Sequence, residues 1–405
     1  MGQLALASLL YPGATHSRFE HSLGVMELAG RVFDSITEPE RVTDDIGDSL
    51  PQLKDRATLD SYWRRAVQVA ALCHDIGHAP FSHAAETLLP GGHEQMTREL
   101  ILGEELQEVW KELRPPLDPV DVVKLAIGQK KAKDLEFSTW ESVLSEVIVG
   151  DAFGVDRMDY LLRDSLHMGV SYGRFDHERL IDSLRILPTA PEGGNKESLG
   201  EPSLGVEEGG LQSAEALLMA RYFMYSQVYF HRVRMVLDLH LVDYLQELQP
   251  AGFPTGVPEF LATTDDQLIA QMYQAAADDA ATGHKSAARL LRRGYFRVLY
   301  EPPPQDRLIT KRAGELVFEA AKGQLGENNV KYARQLDEGG EIDFPVLLRN
   351  GGIASSLAMS EVLSKLPPIR PEYVFVAPEL RDEAAAWLEG QRTRIVEEGR
   401  DSGEA

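Results

Sequence analysis

Cysteine is almost missing from this chain: Cys73 stands alone among 405 residues. That excludes an intrachain disulfide framework and any zinc knuckle built on several thiolates. Long apolar runs are missing as well, and no stretch approaches the ~18 residues of a membrane-spanning helix. No basic-then-apolar leader opens the chain, so no secretory signal is expected and a cytoplasmic location is. Basic charge is in deficit, with 41 Lys and Arg against 64 Asp and Glu, a net charge of −23. Such a balance favours solubility and argues against a dedicated nucleic-acid binder. Neither nucleic acid nor a membrane is therefore an expected partner. An anionic small molecule stays open, because a local arginine cluster with a metal ion can hold phosphate against an unfavourable overall field.

What is present is a globular composition, 43% hydrophobic and 26% charged. The length suits one large domain or two smaller ones. Residues 18–36 are expected to form a helix, since His21, Val25, Leu28 and Val32 fall on one face. Residues 61–75 follow the same pattern with Trp63, Val67, Ala70 and His74, until Gly77 and Pro80 end the helix. Each helix therefore points one histidine inward. Two further long helices are expected over 145–167 and 211–246. The stretch 188–210, rich in Pro, Gly, Ser and Glu, reads as an exposed connection around a short hairpin, and 250–258 as a loop. Glu301-Pro302-Pro303-Pro304 reads as a boundary. Beyond it, short strands are expected at Glu341 to Leu348 and Tyr373 to Ala377. The fold class is thus mainly α: a helical catalytic domain over 1–300, a small α+β lobe at 305–392, and a frayed tail at 393–405.

The chemistry concentrates in His74-Asp75-Ile76-Gly77-His78-Ala79-Pro80-Phe81-Ser82-His83 and in Arg18-Phe19-Glu20-His21-Ser22. A divalent ion needs several nitrogen and oxygen ligands converging from rigid elements, and His21, His74 and Asp75 are the first three. A fourth is expected from the acidic segment 150–164, which offers Asp151, Asp156, Asp159 and Asp164. Asp156, Tyr160 and Asp164 share one helical face, with Asp151 and Asp159 off it. A single helical histidine is more often a satisfied core residue. Three histidines and an aspartate within ten positions, with a matching upstream helix, are harder to dismiss.

These residues carry a resemblance. The H…HD…D pattern resembles the HD-domain phosphohydrolase superfamily. More closely, the segments Tyr11 to Val25, His74 to His83 and Val155 to Asp164 resemble the deoxynucleoside triphosphate triphosphohydrolases, the group of the vertebrate SAM-and-HD-domain enzyme and its bacterial relatives. The likeness covers roughly residues 3–245. It implies His21, His74, Asp75 and Asp156 as ligands of one divalent metal ion, and this donor set suits Mn, Fe, Zn, Ni or Mg. It implies a catalytic relay of His78, Glu86 and His93, with His83 also approaching the phosphates. A histidine exchanges protons near neutrality, and a carboxylate behind it sets its tautomer.

A triphosphate also needs donors. Arg18, Arg157 and Tyr160 flank the expected ligands, and the stripe Arg221, Tyr225, Tyr229 and Arg232 has His231 beside it. Such a stripe is more often a solvated face, but Arg221, Tyr229 and His231 match the family's nucleotide pocket. Arg157 stands where relatives often carry lysine, which changes the phosphate contact from point-like to forked. Gln3, Leu4 and Asp164 match residues that in relatives touch the sugar 3′-hydroxyl, and Tyr229 one that crowds the 2′ position. Arg179 matches one regulatory contact, so a nucleotide effector is a possible partner. Relatives carry further residues before the position of Gln3, so the native start is expected upstream of Met1.

The resemblance therefore implies hydrolysis of dNTPs to deoxynucleoside and inorganic triphosphate by a homo-oligomer. The alternatives are another HD-type phosphohydrolase, a nucleotide phosphatase or phosphodiesterase, and a nucleotide- or nucleic-acid-binding regulator with weak catalysis.

Overall fold

A computed structural model describes residues 1–189, 200–335 and 342–401, the last three without their side chains. The first helix, α1 (Arg18–Thr37), starts on a capping box: the Ser17 hydroxyl accepts from the Glu20 amide, and the Glu20 carboxylate accepts from the Ser17 amide. Two backbone donors that a helix start leaves orphaned are satisfied this way. Its expected inner face is the observed one, with His21, Val25, Leu28 and Val32 all buried.

α2 (Arg64–Cys73) packs along α1. A wide turn at Leu59–Trp63 precedes it, so the helical stretch expected from 61 begins regularly only at Arg64 and stops before His74. α3 (Gly92–Leu102), α4 (Pro119–Ile127) and α5 (Thr139–Val149) follow. Trp140 of α5 meets Phe33 of α1 edge-on at 6.4 Å and Trp63 at 6.2 Å. Aromatic pairs in this arrangement contribute beyond their buried area.

The helix expected over 145–167 is two helices. α5 ends at Gly150, and α6 (Val155–Met168) starts after Gly154 and closes on Gly169 in the left-handed conformation. A left-handed glycine there lets the Gly169 and Val170 amides return to the carbonyls of α6. α7 (His177–Ser183) and α8 (Leu211–Met224) complete the main helices of this part. The helix expected over 211–246 is likewise interrupted, by a wide turn at Tyr225–Tyr229 and by His231, which caps α9 (Arg232–Leu248).

Among the described residues, seven short strands follow one another: β1 (Leu184–Pro188), β2 (Pro202–Glu207), β3 (Arg297–Tyr300), β4 (Val330–Arg334), β5 (Pro345–Leu347), β6 (Ile353–Ser355) and β7 (Glu372–Val376). β1 and β2 pair antiparallel, but β1 lies almost wholly before the expected exposed connection at 188–210 and both strands bury apolar residues, Ile186 and Leu187 from β1 and Leu204 and Val206 from β2; residues 190–199 between them lie outside the described residues. One sheet runs β1-β2-β5-β6, the other β3-β7-β4.

The chain divides into two compact units. The first holds Met1–Met224, Pro254–Thr263 and Gly339–Pro367; the second holds Tyr225–Phe253, Thr264–Glu338 and Pro368–Ala405. This division does not follow the expected one at 300–305. The second unit begins at Tyr225, and the strands β5 and β6 belong to the first unit, where β5 pairs in parallel with β2. Within the second unit, Val317 of α12 (Ala313–Leu325) and Leu388 of α13 (Arg381–Asp401) cover one face of the sheet, and Val236 of α9 covers the other. Here α10 is Asp265–Ala277 and α11 His284–Leu291.

The expected strand from Glu341 is shorter, starting at Pro345; Glu341 itself lies outside the described residues. The expected frayed tail is a correction: α13 continues to Asp401 because Ile395 and Val396 are buried on its inner face, and only 402–405 lie outside the described residues. No helix among the described residues is long and apolar enough to cross a membrane.

Candidate metal centre and histidine cluster

α1 and α6 lie side by side, and α2 packs against α1. His21 sits one turn into α1, His74 caps α2, and Asp156 opens α6. Their donor atoms fall within 4.8 Å of one another. His21 is fully buried and bonded on both sides: Nδ1 lies 2.8 Å from Asp159 Oδ2, and Nε2 lies 3.1 Å from Asp156 Oδ1. Asp159 is itself held by the Arg163 guanidinium through two bonds, 2.8 and 2.9 Å. Only glycine fits beneath this arrangement, since a Cβ at Gly24 would come within 1.9 Å of Asp159 Oδ1.

The donor chemistry fits a cation. His74 Nδ1 lies 2.8 Å from the Ala71 carbonyl oxygen, so that nitrogen carries the donated proton. Its buried Nε2 makes no hydrogen bond and faces Asp75 Oδ1 and Asp156 Oδ1, each at 3.4 Å. A lone pair set against two carboxylates is repulsive unless a positive charge stands between them. Without a metal ion, protons must serve. Burial alone would lower the His21 pKa, but the bonds to Asp156 and Asp159 outweigh it and push it up to about 10. His74 moves up as well, with burial opposed by the charges of Asp75 and Asp156. The paired histidines in turn hold Asp156 well below the usual carboxylate range against the cost of burial. A divalent ion in place of those protons leaves neutral imidazole ligands oriented by Asp159 and by the Ala71 carbonyl.

Asp75 stands at the edge of this group rather than inside it. Its Oδ2 is paired with the Arg18 guanidinium and lies 3.8 Å from His21 Nε2. Arg18 is buried and also donates from Nε to Ser82 Oγ at 2.9 Å. Phe81 and Ser82 both occupy the left-handed region, with φ of 63° and 55°. A non-glycine residue pays for that conformation, and the strain falls at the turn that follows the His-Asp pair.

A second group lies next to the first. His78 Nε2 is 3.4 Å from Asp75 Oδ1. The His78 and His93 rings stack at 3.8 Å, and His83 meets both edge-on at 4.6 and 5.5 Å. Glu86 accepts from both the amide and Nδ1 of His93, each at 2.9 Å. Burial would raise the Glu86 pKa, but these bonds bring it down to about 2. His78 is pushed well below the ordinary imidazole value by burial and then by the Arg18 charge. The His83 ring is open to solvent on one side. Desolvation on its packed side, then the Arg18 and His93 charges, lower its pKa to about 4. Gly77 makes the assembly possible: a Cβ there would lie 2.2 Å from the Thr97 amide and 2.3 Å from the His93 carbonyl. Glycine lets the loop approach α3 closely enough to bring His78 against His93.

The other expected residues are placed as follows. Asp164 is buried with Oδ1 2.7 Å from His16 Nε2, and His16 stacks on His167. Gln3 and Leu4 are buried, and the Gln3 amide bonds the His16 carbonyl. Arg157 donates to the Gly150 carbonyl and to Asp151 Oδ1 at 3.2 Å. Tyr160 lies half-buried on α6, and Arg221 half-buried near the end of α8, in the first unit. Tyr229 and His231 belong to the second unit, where Tyr229 contacts Tyr225 and Arg234, and His231 Nδ1 accepts from the Val233 amide. Two residues were not singled out from the sequence, Asp159 and His16. Asp159 was set aside as lying off the Asp156 face, although i and i+3 are helix neighbours and that spacing was the available signal. His16 had no pattern to mark it.

An HD-domain fold and a buried His/Asp centre define the class. The HD-domain family model matches residues 18–161, and the HD-associated-region model matches residues 175–302, past the end of the 3–245 likeness. The chain belongs to the HD-domain phosphohydrolase family. It is 31% identical to a hypothetical protein of Aquifex aeolicus, whose crystal structure it matches over 96% of this chain and 91% of that one with a TM-score of 0.73. It is 34% identical over 257 residues to the uncharacterized protein YwfO of Bacillus subtilis, 62% of this chain and 50% of that protein. It is 30% identical over 265 residues to the deoxynucleoside triphosphate triphosphohydrolase SAMHD1 of Bos taurus, 60% of this chain and 41% of that protein. The chain thus spans about half the length of the curated relatives it matches.

Proposed function

We propose that this chain hydrolyses deoxynucleoside triphosphates to a deoxynucleoside and inorganic triphosphate, using one divalent ion held by His21, His74, Asp75 and Asp156. The observation that carries the reading is the His74 Nε2 atom, buried, without a hydrogen bond and 3.4 Å from each of two carboxylates. Support for the substrate comes from the similarity to the bovine triphosphohydrolase. When bound, the ion supplies positive charge that polarises the α-phosphoryl group and acidifies water.

The chain's own residues do the rest. Asp159 and Ala71 orient the two histidine ligands. Arg18, adjoining Asp75, exchanges part of that contact for a phosphate oxygen and stabilises charge there. Water attacks the α-phosphorus, and the bond to the 5′-oxygen breaks. His83, at the open side of the cluster, donates a proton to the departing 5′-oxygen; the negative charge of a bound triphosphate opposes Arg18 and raises the low pKa of its ring. His78 is the second candidate, with His93 and Glu86 completing the relay. Gln3, Leu4 and Asp164 take the sugar, with His16 holding Asp164. Arg157, Tyr160 and Arg221 take phosphates; Tyr229 and His231 keep only the nucleotide-contact role that the family resemblance implies.

The test is to incubate the metal-loaded protein with each dNTP and NTP, singly and mixed, and to identify the products. Triphosphate and deoxynucleoside from dNTPs, with ribonucleotides spared, is the expected result. Turnover only in mixtures would reveal an effector. Orthophosphate release would replace the reading with a nucleotide phosphatase.

A further inference from the structure

His78, His83, Glu86 and His93 have a property that a proton relay does not require. Their donor atoms all lie within 4.8 Å of one another, the same bound that the first group meets. Three imidazole rings surround one carboxylate. The 3-10 turn Ser82–Leu88 places His83 and Glu86 three residues apart, on one side of the turn. The Glu86 to His93 bonds account for one oxygen of that carboxylate. His78 is left over: its side chain is 1% exposed, its Nδ1 makes no hydrogen bond, and Glu86 Oε2 is 3.8 Å away. That nitrogen is aimed into the cluster with nothing there to satisfy it.

We propose that these four residues form a second cation site, selective for zinc-like transition metals and separate from the first, and that filling it inhibits turnover. Three imidazoles and one carboxylate are a donor set for Zn2+, which takes four such ligands in tetrahedral geometry. Tetrahedral donors stand about 3.4 Å apart at ordinary Zn–N and Zn–O lengths, so modest side-chain rotations close the set. The first group, with two carboxylates among its four ligands, suits harder ions better. The exposed His83 ring gives a bare ion a way in. Once bound, the ion occupies the nitrogens that would carry protons, which is the source of the inhibition. Only that inhibitory clause rests on the proposed function; the binding clause does not.

The experiment titrates metal-free full-length protein with Zn2+ alone, by calorimetry and without nucleotide, and repeats the titration with Co2+ to record the visible absorption of tetrahedral cobalt. The wild type is expected to take two equivalents. Asp156→Asn and Glu86→Gln are each expected to take one, with the lost site weakened about tenfold or more. The single equivalent kept by Glu86→Gln shows that this variant is folded. A single equivalent in the wild type, or two at unchanged affinity in Glu86→Gln, overturns the site. In the active protein, inhibition should follow occupancy of the second site; full turnover with both sites filled overturns the inhibitory clause. If no nucleotide is hydrolysed, the functional reading fails while the binding titration still decides the site.

Discussion

Asp159 shows how much of the centre depends on a residue that binds no ion. Its carboxylate fixes which nitrogen of His21 carries the proton, and Arg163 fixes the carboxylate. Outer carboxylates of this kind are worth roughly 10–100-fold in metal affinity. Asp159→Asn, nearly isosteric, should weaken metal binding by about that factor with little change in thermal stability; a titration with Mn2+ checks it. His21 makes a second prediction. Its folded pKa of about 10 exceeds the unfolded value, so in metal-free protein its contribution is complete below about 6.5 and is lost as pH rises toward 10. Thermal melts from pH 6 to 10 should therefore fall with pH for chelated protein and much less for metal-loaded protein. Metal binding near neutrality should also release protons, measurable from calorimetry in buffers of different ionisation enthalpy. At this scale the sequence was legible where chemistry clusters along the chain, as at His74, Asp75 and His78. It was opaque where a residue matters through a partner far away, as with His16, whose partner Asp164 stands 148 positions on.

At the scale of elements, α1 was readable to within a residue from its apolar stripe, and the capping box at Ser17 then fixes its start. Ser17→Ala removes the hydroxyl half of the capping box and should cost about 1 kcal/mol, seen as a lower urea midpoint with unchanged slope. The broken helices were not readable. Apolar spacing runs from Ile148 to Val155, seven residues on, with little change of phase, and the break is made by Gly150 and Gly154, each of which a periodic pattern tolerates. The wide turn at Tyr225–Tyr229 carries no Pro or Gly at all. Gly77 carries a stronger consequence. Gly77→Ala would press a methyl against the backbone of α3, separating His78 from His93. It should lower stability by about 1–3 kcal/mol and disturb the histidine cluster before it disturbs His21 and His74.

For the molecule as a whole, the sequence disclosed a helical domain followed by strands, but not that the chain crosses between two units and back. Contacts between distant segments, such as β2 with β5, leave no local trace. The expected boundary at 301–304 would make 1–300 look like a separable catalytic piece. The observed pairing predicts otherwise. A chain cut after Tyr300 loses β5 and β6, exposes the β2 edge and should be poorly soluble by sedimentation, whereas the full chain stays soluble. A soluble, metal-binding 1–300 fragment would show that the β2–β5 pairing is dispensable.

The most direct test of the central claim is to run the reaction in ¹⁸O-labelled water and read the products by phosphorus NMR and mass spectrometry. Attack on the α-phosphorus predicts one labelled oxygen in the inorganic triphosphate and none in the deoxynucleoside, with all turnover lost in Asp75→Ala and Asp156→Asn. Label in orthophosphate would contradict attack on the α-phosphorus, and undiminished turnover in those variants after chelation would contradict a metal centre built from His21, His74, Asp75 and Asp156.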